Sequence, residues 1–151
     1  METRTTTMGP PLTSSACDSH YLYNGSCYAH TYLEYWNDSN KDCIEQFGGD
    51  LISIHSQEEQ DFLNKYFREK TWIGVECKNN KWEWIDGSEI NYQNWFEDEP
   101  KNNTCAMNTL QGWIADDRDG FDLHTGICKY KPKGFQDSAV RSCKTSFIVG
   151  L

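Results

Sequence analysis

The chain has no cysteine pair in CxxC spacing, no HExxH, no GxSxG and no apolar run long enough to span a bilayer. Each missing feature removes a class of protein. Without CxxC there is neither a zinc-chelating cysteine pair nor a thioredoxin-type redox pair. His20, His30, His55 and His124 are scattered, with no nucleophile or second ligand at motif spacing, which speaks against an enzyme. The run Asp116-Asp117-Arg118-Asp119-Gly120 lacks the DxDxDG opening and closing Glu of an EF-hand, so it reads as a solvated acidic loop. Met1 to Ser15 is Thr-rich and has no apolar stretch of the kind a signal peptide needs. Residues 1–16 therefore read as a leader, or as the remnant of a longer extracellular chain.

Positive charge is also scarce. The 14 Lys and Arg are outnumbered by 23 Asp and Glu, for a net charge of -9. Affinity for nucleic acid rests on cations neutralising phosphates, so nucleic acid is not an expected partner. What the chain does have is cysteine, at positions 17, 27, 43, 77, 105, 128 and 143, far apart in the manner of disulfides in an oxidising compartment. Acceptor triplets for N-linked glycans at Asn24 (NGS), Asn37 (NDS) and Asn102 (NNT) fit the same extracellular address. A length of 151 residues suits one domain with tails. We assign 17–130 to that domain and 131–151 to a C-terminal tail.

Cys17 to Tyr28 holds two short aromatic runs around Asn24-Gly25, a type I′ hairpin signal. Trp36, Cys43, Ile44 and Phe47 follow the helical period up to Gly48-Gly49. Asp50 to Ile54 alternates like a strand. Ser56 and Glu59 form a capping box for a second helix whose stripe is Phe62, Leu63, Tyr66 and Phe67, read as core. The period then becomes two in Trp72 to Val75 and Trp82 to Trp84, joined by the polar turn 78–81. Ser88 to Asn103 is a long loop of the kind that carries function. Cys105 to Asn108 and Gly126 to Tyr130 read as the last strands.

Together these segments resemble the C-type lectin-like domain of the long form. The carrying residues are Gly48-Gly49-Asp50-Leu51-Ile52-Ser53-Ile54-His55-Ser56-Gln57-Glu58-Glu59, Trp72-Ile73-Gly74-Val75, Trp82-Glu83-Trp84-Ile85-Asp86-Gly87-Ser88 and Tyr92-Gln93-Asn94-Trp95. The resemblance covers Cys17 to about Tyr130. It implies an α+β fold in which two helices flank two small antiparallel sheets bearing a long loop. It also implies the disulfides Cys17–Cys27 and Cys43–Cys128. A further family bridge would join Cys105 to a cysteine shortly after Trp113, where this chain has none. If Trp72–Val75 and Cys105–Asn108 are antiparallel neighbours, Cys77 lies near Cys105, and a Cys77–Cys105 bridge is the expectation, with Cys143 left free or linking to another chain.

The resemblance places ligand binding on the loop region 88–119, at Phe96, Glu97, Glu99, Lys101, Asn102 and Asn103. Sugar-binding relatives use Glu-Pro-Asn or Gln-Pro-Asp, an acid before the cysteine and a Trp-Asn-Asp triplet, so that calcium finds its six to eight oxygens. Here Glu99-Pro100 is followed by Lys101, whose ammonium has no acceptor lone pair. Asn103-Thr104 replaces the acid, and Ile114-Ala115 follows Trp113. The motif is degraded, and no cofactor is expected. The alternative is a calcium-dependent carbohydrate-binding lectin with a shifted ligand set of Glu99, Asn102, Asp116 and Asp117. A glycan on Asn102 would crowd that site. Either way the ligand is a glycan or a protein, with Tyr92, Trp95, Phe96 and Trp113 as aromatic candidates. Trp95 and Trp113 read as packing beneath the loop, and Phe96 as the exposed anchor.

Overall fold

The places where the chain turns follow from a few residues that tolerate the left-handed backbone region. In the computed structural model, which describes residues 17–133 except Ser19, Asn24 and Gly25 have φ of 46° and 82°. They join β1 (Tyr21–Tyr23) to β2 (Ser26–His30) as a type I′ turn requires. Asn79 and Asn80 do the same between β4 (Thr71–Lys78) and β5 (Lys81–Trp84). Helix α1 (Trp36–Phe47) stops at Gly48, φ 70°, where Gly48 N–H donates to Ile44 and Gly49 N–H to Cys43. Helix α2 (Gln57–Tyr66) opens on Ser56, whose Oγ accepts from Glu59 N at 3.0 Å. Glu59 returns its bond one residue early, accepting from His55 N at 2.9 Å.

The strands form one sheet in the order β1-β2-β8-β4-β6-β7, with β3 (Asp50–Leu51) paired to β8 and β5 to β4. β6 is Cys105–Thr109, β7 is Gly112–Asp116 and β8 is Thr125–Tyr130. The two small antiparallel sheets that the resemblance implies are its halves, β1-β2-β8-β3 and β5-β4-β6-β7. Thr71 and Trp72 pair in parallel with Thr125 and Gly126, fusing the halves. The expected strand 50–54 is cut to two residues because the chain then crosses between strands. Ile52 N donates to Ile127 O at 2.8 Å, and its carbonyl accepts from Gly74 N at 2.7 Å. A second correction concerns the region 88–119, whose latter part is the β6–β7 hairpin, with registers from Cys105–Asp116 to Thr109–Gly112.

β4 is buried along most of its length and shows its side chains alternately to the two faces. Trp72 joins Trp36, Cys43, Leu51, Met107 and Cys128 on the side of α1. Ile73 and Val75 join Leu63, Phe67 and Trp113 on the side of α2. The α2 stripe differs from the one expected. Tyr66 is exposed, while Glu59 and Gln60 are buried and bonded across the core. Glu59 Oε2 accepts from Tyr28 Oη and Lys129 Nζ, both at 2.7 Å. Gln60 Oε1 accepts from Trp113 Nε1 at 2.8 Å, and its amide donates to Asn108 Oδ1 at 2.9 Å.

Disulfides join Cys17 to Cys27 and Cys43 to Cys128, with Cα separations of 5.5 and 5.3 Å. The Cys77–Cys105 bridge is not formed, and both are free thiols. β4 and β6 are antiparallel neighbours as expected, but a register irregularity sets Glu76, not Cys77, opposite Cys105. A one-residue offset turns two side chains to opposite faces of a sheet. Cys105 is buried on the α1 side, where desolvation pushes its thiol pKa up. Cys143 lies outside the described residues, as do residues 1–16.

Candidate functional site

The loop between β5 and β6 is held down by its aromatic side chains and by backbone bonds to β7. Trp113 N donates to Asn94 O at 2.7 Å, and Phe96 N donates to Trp113 O at 3.0 Å. Gly112, φ 143°, makes this approach possible, because a Cβ there would lie 2.9 Å from Phe96 Cα. Trp113 is fully buried under the ring of Tyr92 and edge-on to Trp84 and Trp95, with centroids 5.4 to 5.9 Å apart. Trp95 in turn meets Trp82 at 5.0 Å. Phe96, expected as the exposed anchor, is half-buried like Trp95, because its backbone is locked to Trp113.

Beyond Phe96 the loop turns outward. Glu97, Asp98, Lys101 and Asn102 are exposed, and Glu99 and Asn103 half-buried. A cis peptide joins Glu99 to Pro100. Glu99 Oε1 accepts two backbone bonds, from Lys101 N at 3.1 Å and from Ala115 N at 2.9 Å. The acidic stretch after β7 is organised by its lone cation. Arg118 pairs with Glu76 at 2.9 Å, donates to Thr104 O at 3.1 Å and lies over the Trp36 ring. Nothing in the sequence marks Arg118 for this role except that it is the only base in 116–122.

The four residues of the shifted ligand set are distributed differently. Glu99 faces the Ala115 amide, and Asn102 is exposed on the loop. Asp117 Oδ1 accepts from Asp119 N at 3.0 Å and faces Thr104 Oγ1 at 3.5 Å. Asp116 lies with Asp122 and His124, their ligand atoms within 4.8 Å of one another, a grouping that spacing in the sequence does not suggest. The acceptor residues Asn24, Asn37 and Asn102 are all exposed.

The loop's root is fastened by a second polar group that was missed in the sequence. His55 Nε2 lies 3.1 Å from Ser53 Oγ and 3.0 Å from Ser88 Oγ, and Nδ1 lies 2.8 Å from Asn91 Oδ1. Both serines donate to Asp86. Burial alone would raise the Asp86 pKa, yet these hydrogen bonds bring it below the usual carboxylate value. The imidazole nitrogens are met by Ser53, Ser88 and Asn91 and the carboxylate by the serines, so no His–carboxylate bond orients a base beside a serine, and the group is a clasp.

The chain is thus a sheet flanked by two helices, tied to α1 by Cys43–Cys128 and closed at its N-terminal hairpin by Cys17–Cys27, with a long loop docked on its outer hairpin. Residues 32–130 match the lectin C-type domain family, and the chain belongs to that family. Snaclec 3 of Sistrurus catenatus edwardsii is 36% identical over 119 residues, 68% of this chain and 78% of that one. Human lithostathine superposes with a TM-score of 0.71 at 25% identity, covering 84% of this chain and 98% of that one. A calcium-independent type II antifreeze protein gives 0.67 at 27% identity, covering 74% and 90%. Members of the family are binding proteins. Among the described residues no helix is long and apolar enough to cross a membrane.

Proposed function

We propose that this chain is an extracellular recognition domain that acts by binding and not by catalysis. It presents Phe96, Glu97, Glu99, Lys101, Asn102 and Asn103 to a glycan or protein ligand, with the calcium and sugar motif degraded. The observation that carries this reading is the surroundings of Glu99. One of its oxygens is filled by two amide donors, one of them from Ala115, which stands where the family triplet has its acid. Lys101 brings a cation to the same turn. A hard cation needs oxygens that are free and converge, and the shifted set does not gather around Glu99: Asp117 Oδ1 accepts from Asp119 N, while Asp116 lies with Asp122 and His124. N-linked glycans at Asn24, Asn37 and Asn102 belong to the same extracellular reading.

Thermal melting with calcium and with EDTA tests it, since an ion bound only by the folded state raises the melting temperature. The melting temperature is expected to be the same in both, and mannose or galactose resin to retain nothing that EDTA releases. A calcium-dependent rise would overturn the reading in favour of the lectin that uses Glu99, Asn102, Asp116 and Asp117.

A further inference from the structure

Residues 32–35 and 121–124 form a short ribbon clamped at Glu34 and His124, which exchange N–H···O bonds of 3.1 Å in both directions. Alternate residues of such a ribbon face opposite sides. The side turned to the protein carries the polar pair. The His124 ring meets Trp72 edge-on at 5.0 Å. Glu34 Oε2 is buried without a hydrogen-bond partner, and desolvation, then Asp42, pushes the Glu34 carboxyl up to about 7. The outer side carries Leu33 (64% exposed), Tyr35 (39%), Leu123 (42%) and Phe121 (96%), with Tyr32 (72%) at the edge. This ribbon is inside out. Burying a carboxyl oxygen while exposing Tyr32, Leu33, Tyr35, Phe121 and Leu123 is unfavourable on both sides, and apolar surface gathered in this way marks interaction sites.

The charge around the patch indicates what covers it. Beside Phe121 runs a groove of about 380 Å³ lined by Tyr35, Asn37, Asp38, Arg118, Asp119 and Phe121. Arg118 is already paired with Glu76, so Asp38 and Asp119 set the sign of the groove. We propose that this face docks a basic amphipathic segment of a partner protein. Apolar side chains of the segment cover Leu33, Tyr35, Phe121 and Leu123, and its Lys or Arg side chains meet Asp38 and Asp119. The surface is separate from residues 96–103 and does not depend on what that loop binds.

The test uses the full, oxidised chain, both glycosylated and as Asn37→Gln, with an amphipathic helical peptide of leucine and lysine as probe, and binding by the Asn37→Gln variant alone would overturn the proposal. NMR titration is expected to shift the amides of 32–38 and 117–124. Leu33→Ser with Phe121→Ser, both at exposed positions, is expected to weaken the peptide at least about tenfold at an unchanged melting temperature. Asp38→Asn with Asp119→Asn is expected to flatten the salt dependence of binding. Equal binding of a leucine–glutamate peptide, shifts confined to 96–103, or undiminished affinity in the double serine variant would overturn the proposal. So would self-association that the serine variant abolishes, since that would assign the face to a second copy of the chain.

Discussion

Trp95 and Phe121 both belong to connecting segments, yet Trp95 lies among the rings of Trp82 and Trp113 while Phe121 is 96% exposed. The loop at 88–103 folds its aromatic residues down onto β7 and turns Glu97, Asp98 and Lys101 to solvent. The ribbon at 32–35 and 121–124 does the reverse. A segment that packs its own aromatic side chains is a rigid platform whose recognition rests on its polar rim. A segment that leaves them bare has kept its apolar area for another molecule. Position in the family fold would have led to the loop alone.

Variants on the two segments should therefore differ in kind. Trp113→Ala removes the side chain on which the loop rests and leaves Gln60 Oε1 without its donor. It is expected to cost about 3–5 kcal/mol, measured by denaturant unfolding, and a loss below about 1 kcal/mol would mean that the loop does not depend on that ring. Arg118→Met is expected to cost about 1–3 kcal/mol, because it leaves the buried Glu76 with Lys78 alone. The loss should shrink in an Arg118→Met, Glu76→Gln double variant, as a mutant cycle will show. Glu34 gives the ribbon a pH signature. Its folded pKa of about 7 lies above its ordinary value of 4.5. Across that window the folded protein keeps a proton that the unfolded chain has released, so stability falls as pH rises. Glu34→Gln should flatten this slope in melting curves, and an unchanged slope would exclude Glu34 as its source. Phe121→Ala should change stability by no more than about 0.5 kcal/mol, and a larger loss would mean that the side chain packs within the fold.

The sequence was readable where structure is set by neighbouring residues. Asn24-Gly25 and Asn79-Asn80 adopt left-handed backbone at low cost, Gly48 ends a helix, and Ser56 with Glu59 opens one, all within a few positions. Reading failed where a distant partner decides. Glu59 and Gln60 look like surface residues of a charged helix until Tyr28, Lys129, Trp113 and Asn108 are brought to them. β7 was missed because Ile114-Ala115-Asp116 has no alternation of its own, and β6 supplies the register. The thiols of Cys77 and Cys105 were expected to meet on strand adjacency alone, and a single irregular residue pair undid that. In the site, the departures from the family's ligand motif at Lys101, Asn103 and Ile114-Ala115 are visible as residue types. The convergence of Asp116 with Asp122 and His124, and the inverted ribbon, arise from loops meeting in space.

β8 lies between β2 and β4, pairs with β3 as well, and carries the cysteine that anchors α1. The strand at the middle of the sheet is thus among the last described residues to leave the ribosome. Until it arrives, β2 and β4 have no common neighbour, and Cys43 has no native partner among the described residues. The sheet is therefore completed only when β8 joins the β1–β2 hairpin to the β4–β7 strands. Until then the β8-facing edges of β2 and of Thr71–Trp72 in β4 stand open to chaperones and to other chains.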